Sequence, residues 1–422
     1  MYRPPLHVHV LTLAGDDPAA LAADDLVGWL AGDPAHSRAH ADVPTFRWTG
    51  TAAGLPAIPA SEADCSVLLL VTGQRSVADA GWRRRANEVA ARFLASEQPV
   101  VHVALDKHFA NFGAPLATLQ TVRAFESHTP EHTRLQVLYA ITFQLRAKHG
   151  TPKPKLFLSH AKRDGLQAAL ETKRLLDGMP AAEAFFDAVD IAPSDHFEAT
   201  LGDVLQHAAI VVFLTDVYAS RYWCRWEALV AKRHLRPMLV VDLLALGEPA
   251  SAPYLGNGPT LRLGDGPRLA ELAKLQEEDE ALAAERSQDA PRQAQNTKRR
   301  AEIAAAMAQY REAFVPSAAR VVAAALLEVL RAEHDAARTE AVRASLADGA
   351  GMTMLGRSPE LVTLPSPTGQ AIRLLHADPP LPKFELELMA KHRPDVAIAS
   401  VTDALAGRLS NTQPLRGKTI AL

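Results

Sequence analysis

The chain has little cysteine, no large excess of charge and no long apolar run. Its 422 residues include two cysteines, Cys65 and Cys224, which is typical of a reducing compartment and gives no cysteine-based metal site. With 45 lysines and arginines against 48 aspartates and glutamates, no overall positive field favours nucleic acid or an anionic membrane. No apolar run approaches the ~20 residues that cross a bilayer. We expect a cytoplasmic protein without a membrane partner, in which only a local patch could bind nucleic acid.

The length predicts two or three domains at ~150 residues each. A Gly and two prolines within 149–154 end a helical pattern and keep the chain extended, so we place a first domain at 1–150. A second domain is expected at 153–337, with a charged helical insertion at about 265–315. A Pro-rich C-terminal region covers 350–422, and its last eight residues have the pattern of the first strand of a further α/β domain.

Three short apolar runs in the second domain alternate with helical patterns. They occupy 155–158, 184–186 and 209–214, and each is followed by polar residues. Such runs are typical of a parallel sheet with helices on its faces. Ligands of these sheets bind beyond the carboxyl ends of the strands. The sequence therefore predicts an α/β fold with its site at this edge.

Three sequence pieces at the predicted edge resemble a Toll/interleukin-1 receptor (TIR) domain. They are Phe157-Leu158-Ser159-His160 with Asp164, Phe186-Asp187 before a Pro-containing loop that reaches Phe197, and Trp223-Cys224-Arg225-Trp226-Glu227. The resemblance covers about 153–245, under a quarter of the chain. It implies a flavodoxin-like parallel sheet in the second domain.

The same resemblance implies a reaction. TIR domains divide into scaffolds and enzymes that cleave the nicotinamide–ribose bond of NAD+, and the enzymes carry a glutamate that Glu227 matches here. Nicotinamide on ribose is already a cationic leaving group, so its departure requires no metal and little acid catalysis. A fixed carboxylate stabilises the oxocarbenium charge that develops on the ribose, as in glycosidases. We expect Glu227 to be catalytic, with NAD+ as substrate and no cofactor or metal.

Five nearby residues are candidates for substrate binding: Ser159, His160, Lys162, Arg163 and Trp223. Trp223, one helical turn before Glu227, could stack on nicotinamide or adenine, and its alternative is a partly buried packing residue. The other four lie in the exit loop of the first strand, where they could meet ribose and pyrophosphate. Their alternative is a capped helix start with solvated side chains. Cys224 is expected to pack inertly.

The segment 190–197 corresponds to the TIR loop for self-association. Its candidate residues are Asp190, Pro193, Ser194 and Phe197. The resemblance implies a homo-oligomer or filament in which neighbouring copies order the site. By analogy alone, the chain would be a bacterial antiviral immune effector that depletes NAD+ or makes a cyclic ADP-ribose-type signal. A ligand or protein on the flanking domains would trigger it.

The first domain repeats this layout without its chemistry. A buried run at 67–72 precedes a helix that starts near Trp82 and contains Glu88. Six residues separate that pair, which places them on roughly opposite sides of a helix. Leu13-Ala14-Gly15-Asp16 replaces the Ser-His loop. We predict a degenerate TIR-like domain with a sensing, docking or structural role.

The stretch 268–313 is rich in charge, and such runs are typical of solvated helices. The amphipathic pattern at 318–337 predicts a helix that docks on the second sheet as its last element.

Two other functions remain open from the sequence. A TIR adaptor that assembles without turnover predicts that Glu227→Ala leaves function intact. Another N-ribosyl hydrolase or transferase predicts cleavage of substrates other than NAD+, because related α/β folds also place a glutamate beside a ribose.

Overall fold

The computed structural model describes most of the chain up to Ser345 and short pieces beyond it. The described residues are 6–31, 43–119, 121–127, 130–148, 154–177, 183–185, 197–246, 255, 259–285, 290–345, 353–354, 362–364, 372–376, 387, 391 and 396–400. They form two five-stranded parallel sheets with helices between their strands, and one four-stranded sheet. The predicted α/β class is confirmed.

The first half contains one parallel sheet. Its strands are β1 (Leu6–Leu13), β2 (Thr45–Gly50), β3 (Cys65–Thr72), β4 (Val100–Ala104) and β5 (Thr121–Arg123). Its helices are α1 (Asp17–Ala31), α2 (Gln74–Ala78), α3 (Ala80–Ala95) and α4 (Pro130–Lys148). β1, β3 and β4 are buried along their whole length, as expected for continuous apolar strands covered on both faces.

The second half contains a sheet of the same design. Its strands are β6 (Lys155–His160), β7 (Glu183–Phe185), β8 (Ala209–Leu214), β9 (Met238–Asp242) and β10 (Thr260–Arg262). The helices between them are α5 (Leu166–Asp177), α6 (Phe197–Leu205) and α7 (Tyr222–Arg233).

Both sheets share one strand order. The order is β2-β1-β3-β4-β5 in the first sheet and β7-β6-β8-β9-β10 in the second. In each sheet the first strand therefore lies between the second and third, as in flavodoxin-like sheets, where ligands bind beyond the carboxyl ends of the first and third strands. The shared order agrees with the repeated layout predicted from the sequence.

A helical hairpin follows the second sheet. It consists of α8 (Gly266–Ala284) and α9 (Ala290–Ser345). Arg299 pairs with Glu278 at 2.7 Å and Arg300 with Asp279 at 2.8 Å, so the basic run of α9 lies beside the acidic run of α8. These pairs are largely exposed and add little stability, but they fix the two helices in antiparallel register.

The C-terminal part of α9 closes the fold. Val322, Leu326 and Leu330 are buried there, which confirms the predicted docking helix. α9 packs against α4 of the first half and α5 of the second, and one continuous core joins the two halves. By length and composition α9 could also span a membrane, over Pro291–His334, but 72% of its most apolar window is buried inside the protein, as in a core helix.

The four-stranded sheet lies in the C-terminal region. Its strands are β11 (Thr353–Met354), β12 (Val362–Leu364), β13 (Ile372–His376) and β14 (Val396–Ser400). β13 and β14 are parallel, while β12 is antiparallel to both of its neighbours. The strand predicted at 396–400 is confirmed, and the one predicted at 415–422 lies outside the described residues.

Three histidines, His7, His9 and His102, are buried in the first sheet. His102 Nε2 lies 2.9 Å from Thr72 Oγ1, and burial lowers the pKa of His102 to about 4. Burial, with a smaller effect from His7, also lowers the pKa of His9 to about 4. At mildly acidic pH the imidazoles of His102 and His9 are therefore neutral in the folded protein, whereas the same side chains are protonated in the unfolded chain.

We predict that this burial makes the protein sensitive to mild acid. The stability contribution of neutral His102 is complete above about pH 6.5 and is lost as pH falls toward 4, because only the unfolded state takes up the proton in that range. Between about pH 7.5 and 5, His102 alone lowers the free energy of unfolding by about 2 kcal/mol. The measurement is urea unfolding at the two pH values. His102→Gln should lose correspondingly less free energy of unfolding than the parent, whereas the control His108→Gln should behave like the parent. An equal loss in all three proteins would contradict the prediction.

Candidate functional site

A cleft of about 560 Å³ lies at the carboxyl end of β6. One wall comes from the exit of β6 and the start of α7, and the other comes from α8. The lining residues are His160, Ala161, Lys162, Arg163, Arg221, Trp223, Cys224, Glu227, Ala273, Gln276, Glu277 and Glu280. The cleft therefore lies at the sheet edge that the sequence predicted.

Glu227 is held at the back of this cleft. It lines the cleft although its side chain is only 4% exposed. Its Oε2 lies 2.5 Å from Ser159 Oγ at the end of β6. Ser159 Oγ is also 2.6 Å from Tyr218 Oη, and Tyr218 donates to the backbone carbonyl of Cys224 at 3.0 Å. The carboxyl group is therefore tied to the end of β6 through the Ser159 hydroxyl, which the Tyr218 hydroxyl contacts in turn.

Trp223 lies in the same cleft as Glu227. The four-residue spacing on α7 brings the two side chains onto one face of the helix. The indole is 39% exposed and meets the ring of Trp226 edge-on, with 5.6 Å between centroids. The indole of Trp223 is therefore partly exposed in the cleft beside the carboxyl group.

The four candidates in the exit loop of β6 divide by burial. Ser159 is only 1% exposed and contacts Glu227, so the structure places it behind the carboxyl group and not on an open binding surface. His160 is buried, and its Nδ1 lies 3.0 Å from the carbonyl of Leu158. Lys162 and Arg163 are exposed at the rim, and Arg163 Nε lies 3.0 Å from Glu277 Oε1 across the cleft.

Asp164 connects the two loops that form the site. Its Oδ1 accepts a hydrogen bond from Thr215 Oγ1 at 2.7 Å, and its Oδ2 accepts one from the Val217 amide at 3.4 Å. Burial raises the pKa of Asp164 above its usual value, although these hydrogen bonds act in the opposite direction. Through Thr215 and Val217, Asp164 fixes the turn that presents Tyr218 to Ser159.

Cys224 is buried, and its Sγ donates to the carbonyl of His160 at 3.4 Å. This contact fits the packing role that the sequence predicted for the thiol.

The α8 wall was not predicted from the sequence. Gln276, Glu277 and Glu280 belong to a charged run that we interpreted as solvated, yet they line the cleft together with Ala273. Gln276, Glu277 and Glu280 follow Ala273 by three, four and seven residues, which places all four on one face of α8. This periodicity was the sequence signal that could have predicted the wall. Gly266 lets α8 begin close to the sheet, because a Cβ there would lie 2.4 Å from the Leu244 carbonyl oxygen.

A buried carboxylate also bridges two loops at the corresponding edge of the first sheet. Asp16, which is buried, accepts hydrogen bonds from the amides of Gly73 at 3.0 Å and Ser76 at 2.9 Å, and from Ser76 Oγ at 2.5 Å. A Cβ at Gly73 would lie 2.3 Å from Asp16 Oδ1. The carboxylate thus joins the loops that follow β1 and β3, as Asp164 joins the loops that follow β6 and β8 in the second sheet.

Most of the predicted self-association segment lies outside the described residues. This applies to Asp190, Pro193 and Ser194, and also to Phe186 and Asp187 of the TIR-like pattern. Phe197 begins α6.

Comparison with known proteins gives no family. No protein-family model and no curated protein matches the chain. Among solved structures, it matches the crystal structure of a mutation variant of SsGBP with 12% sequence identity, over 66% of this chain and 96% of that chain. The TM-score is 0.17, so this likeness says nothing about fold or function.

Proposed function

We propose that the protein is a TIR-type NAD+ nucleosidase that cleaves the bond between nicotinamide and ribose. The observation that carries this proposal is Glu227, fixed by Ser159 in a cleft that also contains Trp223. The cleft volume of about 560 Å³ is within the usual range of ligand pockets, ~300–1,000 Å³. The basic residues of its lining also suit the pyrophosphate of a dinucleotide.

The two ends of NAD+ match different parts of this cleft. Lys162 and Arg221 are cationic lining residues that suit the pyrophosphate. Trp223 offers a ring face to the pyridinium, and Glu227 lies one helical turn away. In this arrangement the electron pair of the C1′–N bond leaves with nicotinamide, which becomes neutral. The Glu227 carboxylate stabilises the cationic ribose until water adds to C1′.

The biological setting is part of the same proposal. The protein would act in the cytoplasm and assemble with copies of itself through its TIR-type domain at 153–337. A ligand or protein on the flanking regions would trigger assembly. Depletion of NAD+, or release of a cyclic ADP-ribose-type product, would then serve in antiviral defence.

We predict that Glu227→Gln lowers nicotinamide release at least ~100-fold, because the amide keeps the shape of the side chain but cannot stabilise the ribosyl cation. The measurement is chromatography of the products from NAD+, with the protein concentrated or clustered on beads. The control is Glu88→Gln, which changes an exposed glutamate on the matching helix of the first sheet.

Each other outcome of this assay has a defined meaning. Absence of turnover in every assembled form would refute the enzyme and favour the adaptor. Release of bases from other nucleosides but not from NAD+ would favour a different N-ribosyl hydrolase. Equal turnover in Glu227→Gln and the parent would exclude Glu227 as the catalytic residue.

We predict that Glu277→Gln lowers the KM for NAD+ up to about fivefold with little change in kcat. Glu277 pairs with Arg163 at the rim, and an exposed pair of this kind is worth about 1 kcal/mol at most. Removing the carboxylate leaves Arg163 available to the pyrophosphate. The control is Glu278→Gln, since Glu278 faces Arg299 of α9 instead. A rise in KM in Glu277→Gln would show that Glu277 binds the substrate and does not compete with it.

A further inference from the structure

Helix α7 carries an apolar line on its solvent side. Its buried side consists of Cys224, Glu227, Ala228 and Ala231. Tyr222, Trp226 and Leu229 follow one another at intervals of four and three residues, which places them in one line along the other side. Tyr222 is 62% and Leu229 49% exposed, and Trp226 is half-buried. The cleft lining takes Trp223, Cys224 and Glu227 from α7 instead, so the apolar line is separate from the cleft.

Three cations border this apolar line. Arg225 and Lys232 are seven residues apart and lie along one side of it, and Arg233 lies at its C-terminal end. Within the part of the chain that the structure describes, no carboxylate pairs with any of the three. We define the outer face of α7 as these cations together with Tyr222, Trp226 and Leu229.

The charge around this face differs from that of the whole chain. Residues 221–236 contain five lysines and arginines against one carboxylate, the buried Glu227. The stretch therefore has a formal charge of +4, whereas the whole chain has −3. A local positive field of this kind attracts an anionic partner. Exposed apolar side chains that lie next to one another, with polar residues around them, mark an interaction site.

The shape and composition of the outer face favour a protein segment over other anionic partners. Single-stranded nucleic acid binds by stacking its bases on aromatic rings, but Leu229 at the centre of the face offers no ring. The rings of Tyr222 and Trp226 each meet Trp223 edge-on. An anionic bilayer would also contact α6, which packs against α7 and exposes Asp203, and like charges repel.

We propose that the outer face of α7 binds an acidic amphipathic helix of a partner protein. The apolar residues of that helix cover Tyr222, Trp226 and Leu229, and its carboxylates pair with Arg225, Lys232 and Arg233. The 12 residues of α7 give a contact about 18 Å long at 1.5 Å per residue, which is short enough for three turns of a partner helix. Binding there requires no turnover at Glu227, so this face and the NAD+ reaction are tested separately.

The two kinds of side chain contribute differently to binding. Covering the apolar line removes exposed side chains from water and supplies most of the affinity. Exposed ion pairs add little free energy, but they raise the association rate and select an acidic partner over a neutral one. We therefore expect an interaction that requires Leu229 and weakens as salt is added.

Synthetic peptides test the outer face in the full-length protein. The probe is a helical peptide with leucines alternately three and four residues apart and glutamates beside them, and its matched control has glutamine in place of each glutamate. Fluorescence anisotropy of the labelled peptides should show at least ~10-fold tighter binding of the glutamate peptide at low salt, and the difference should shrink as salt is added. Equal binding of the two peptides, or binding of neither, would overturn the proposal.

A substitution at the centre of the face locates the binding. Leu229→Ser should weaken binding of the glutamate peptide ~10-fold, because it removes an apolar side chain that the partner covers. The control is Arg84→Glu, which changes an exposed arginine on α3 of the first half and should bind like the parent. Unchanged binding in Leu229→Ser would show that the peptide lies elsewhere.

A charge exchange tests the role of the cations. The protein with both Arg225→Glu and Arg233→Glu should lose the glutamate peptide and gain binding of a peptide with lysine at the same positions, which the parent does not bind. The gain of a new peptide requires a folded helix, so unfolding cannot produce it. Binding of the glutamate peptide that survives the exchange would contradict the proposal.

Other occupants of the face are outcomes of the same assay. Tighter binding of a labelled dT oligonucleotide or of phosphatidylserine vesicles than of the glutamate peptide, lost on charge exchange, would assign the face to nucleic acid or to a membrane and overturn the proposal. Self-association of the parent in sedimentation that disappears in Leu229→Ser would overturn it too, because a second copy would then cover the face.

Discussion

The hydrogen bond between Ser159 and Glu227 joins the carboxyl end of β6 to α7, the helix that forms one wall of the cleft. It connects two residues that are 68 positions apart in the chain, at 2.5 Å, in a buried setting. A buried carboxyl group requires such a partner, because burial without hydrogen bonds costs several kcal/mol. The remaining parts of the site are arranged around this contact. Asp164 fixes the turn of Tyr218, and Tyr218 in turn supports Ser159.

The two sheets share one architecture but differ in the side chains at the same edge. Both have the same strand order, and therefore the same position between first and third strands. In the second sheet, Glu227 approaches this position from α7 and leaves a cleft in front of it. In the first sheet, Asp16 accepts from the amides of Gly73 and Ser76 and so joins the loops after the first and third strands, a role that Asp164 has in the second sheet. Fold alone thus does not decide whether an edge can bind a ligand.

Much of this architecture follows from local patterns in the sequence. The continuous apolar runs of β6 and β8 predict buried parallel strands, and the four-residue spacing of Trp223 and Glu227 predicts that they share a face. The role of Ser159 was not predictable in the same way, because it depends on a contact with α7. The α8 wall was missed because the whole acidic run was interpreted as solvated, although the helical spacing of Gln276, Glu277 and Glu280 after Ala273 places them on one face. No local sequence pattern around Tyr218 predicts which groups its hydroxyl contacts.

The length of α9 has a mechanical consequence. Its 56 residues correspond to a rod about 84 Å long at 1.5 Å per residue. The same rod carries the ion pairs that hold α8 beside the cleft and the apolar face that packs on α4 of the first half. One helix therefore contacts both α4 and α8, and Pro316 lies inside it, where a backbone N–H donor is missing.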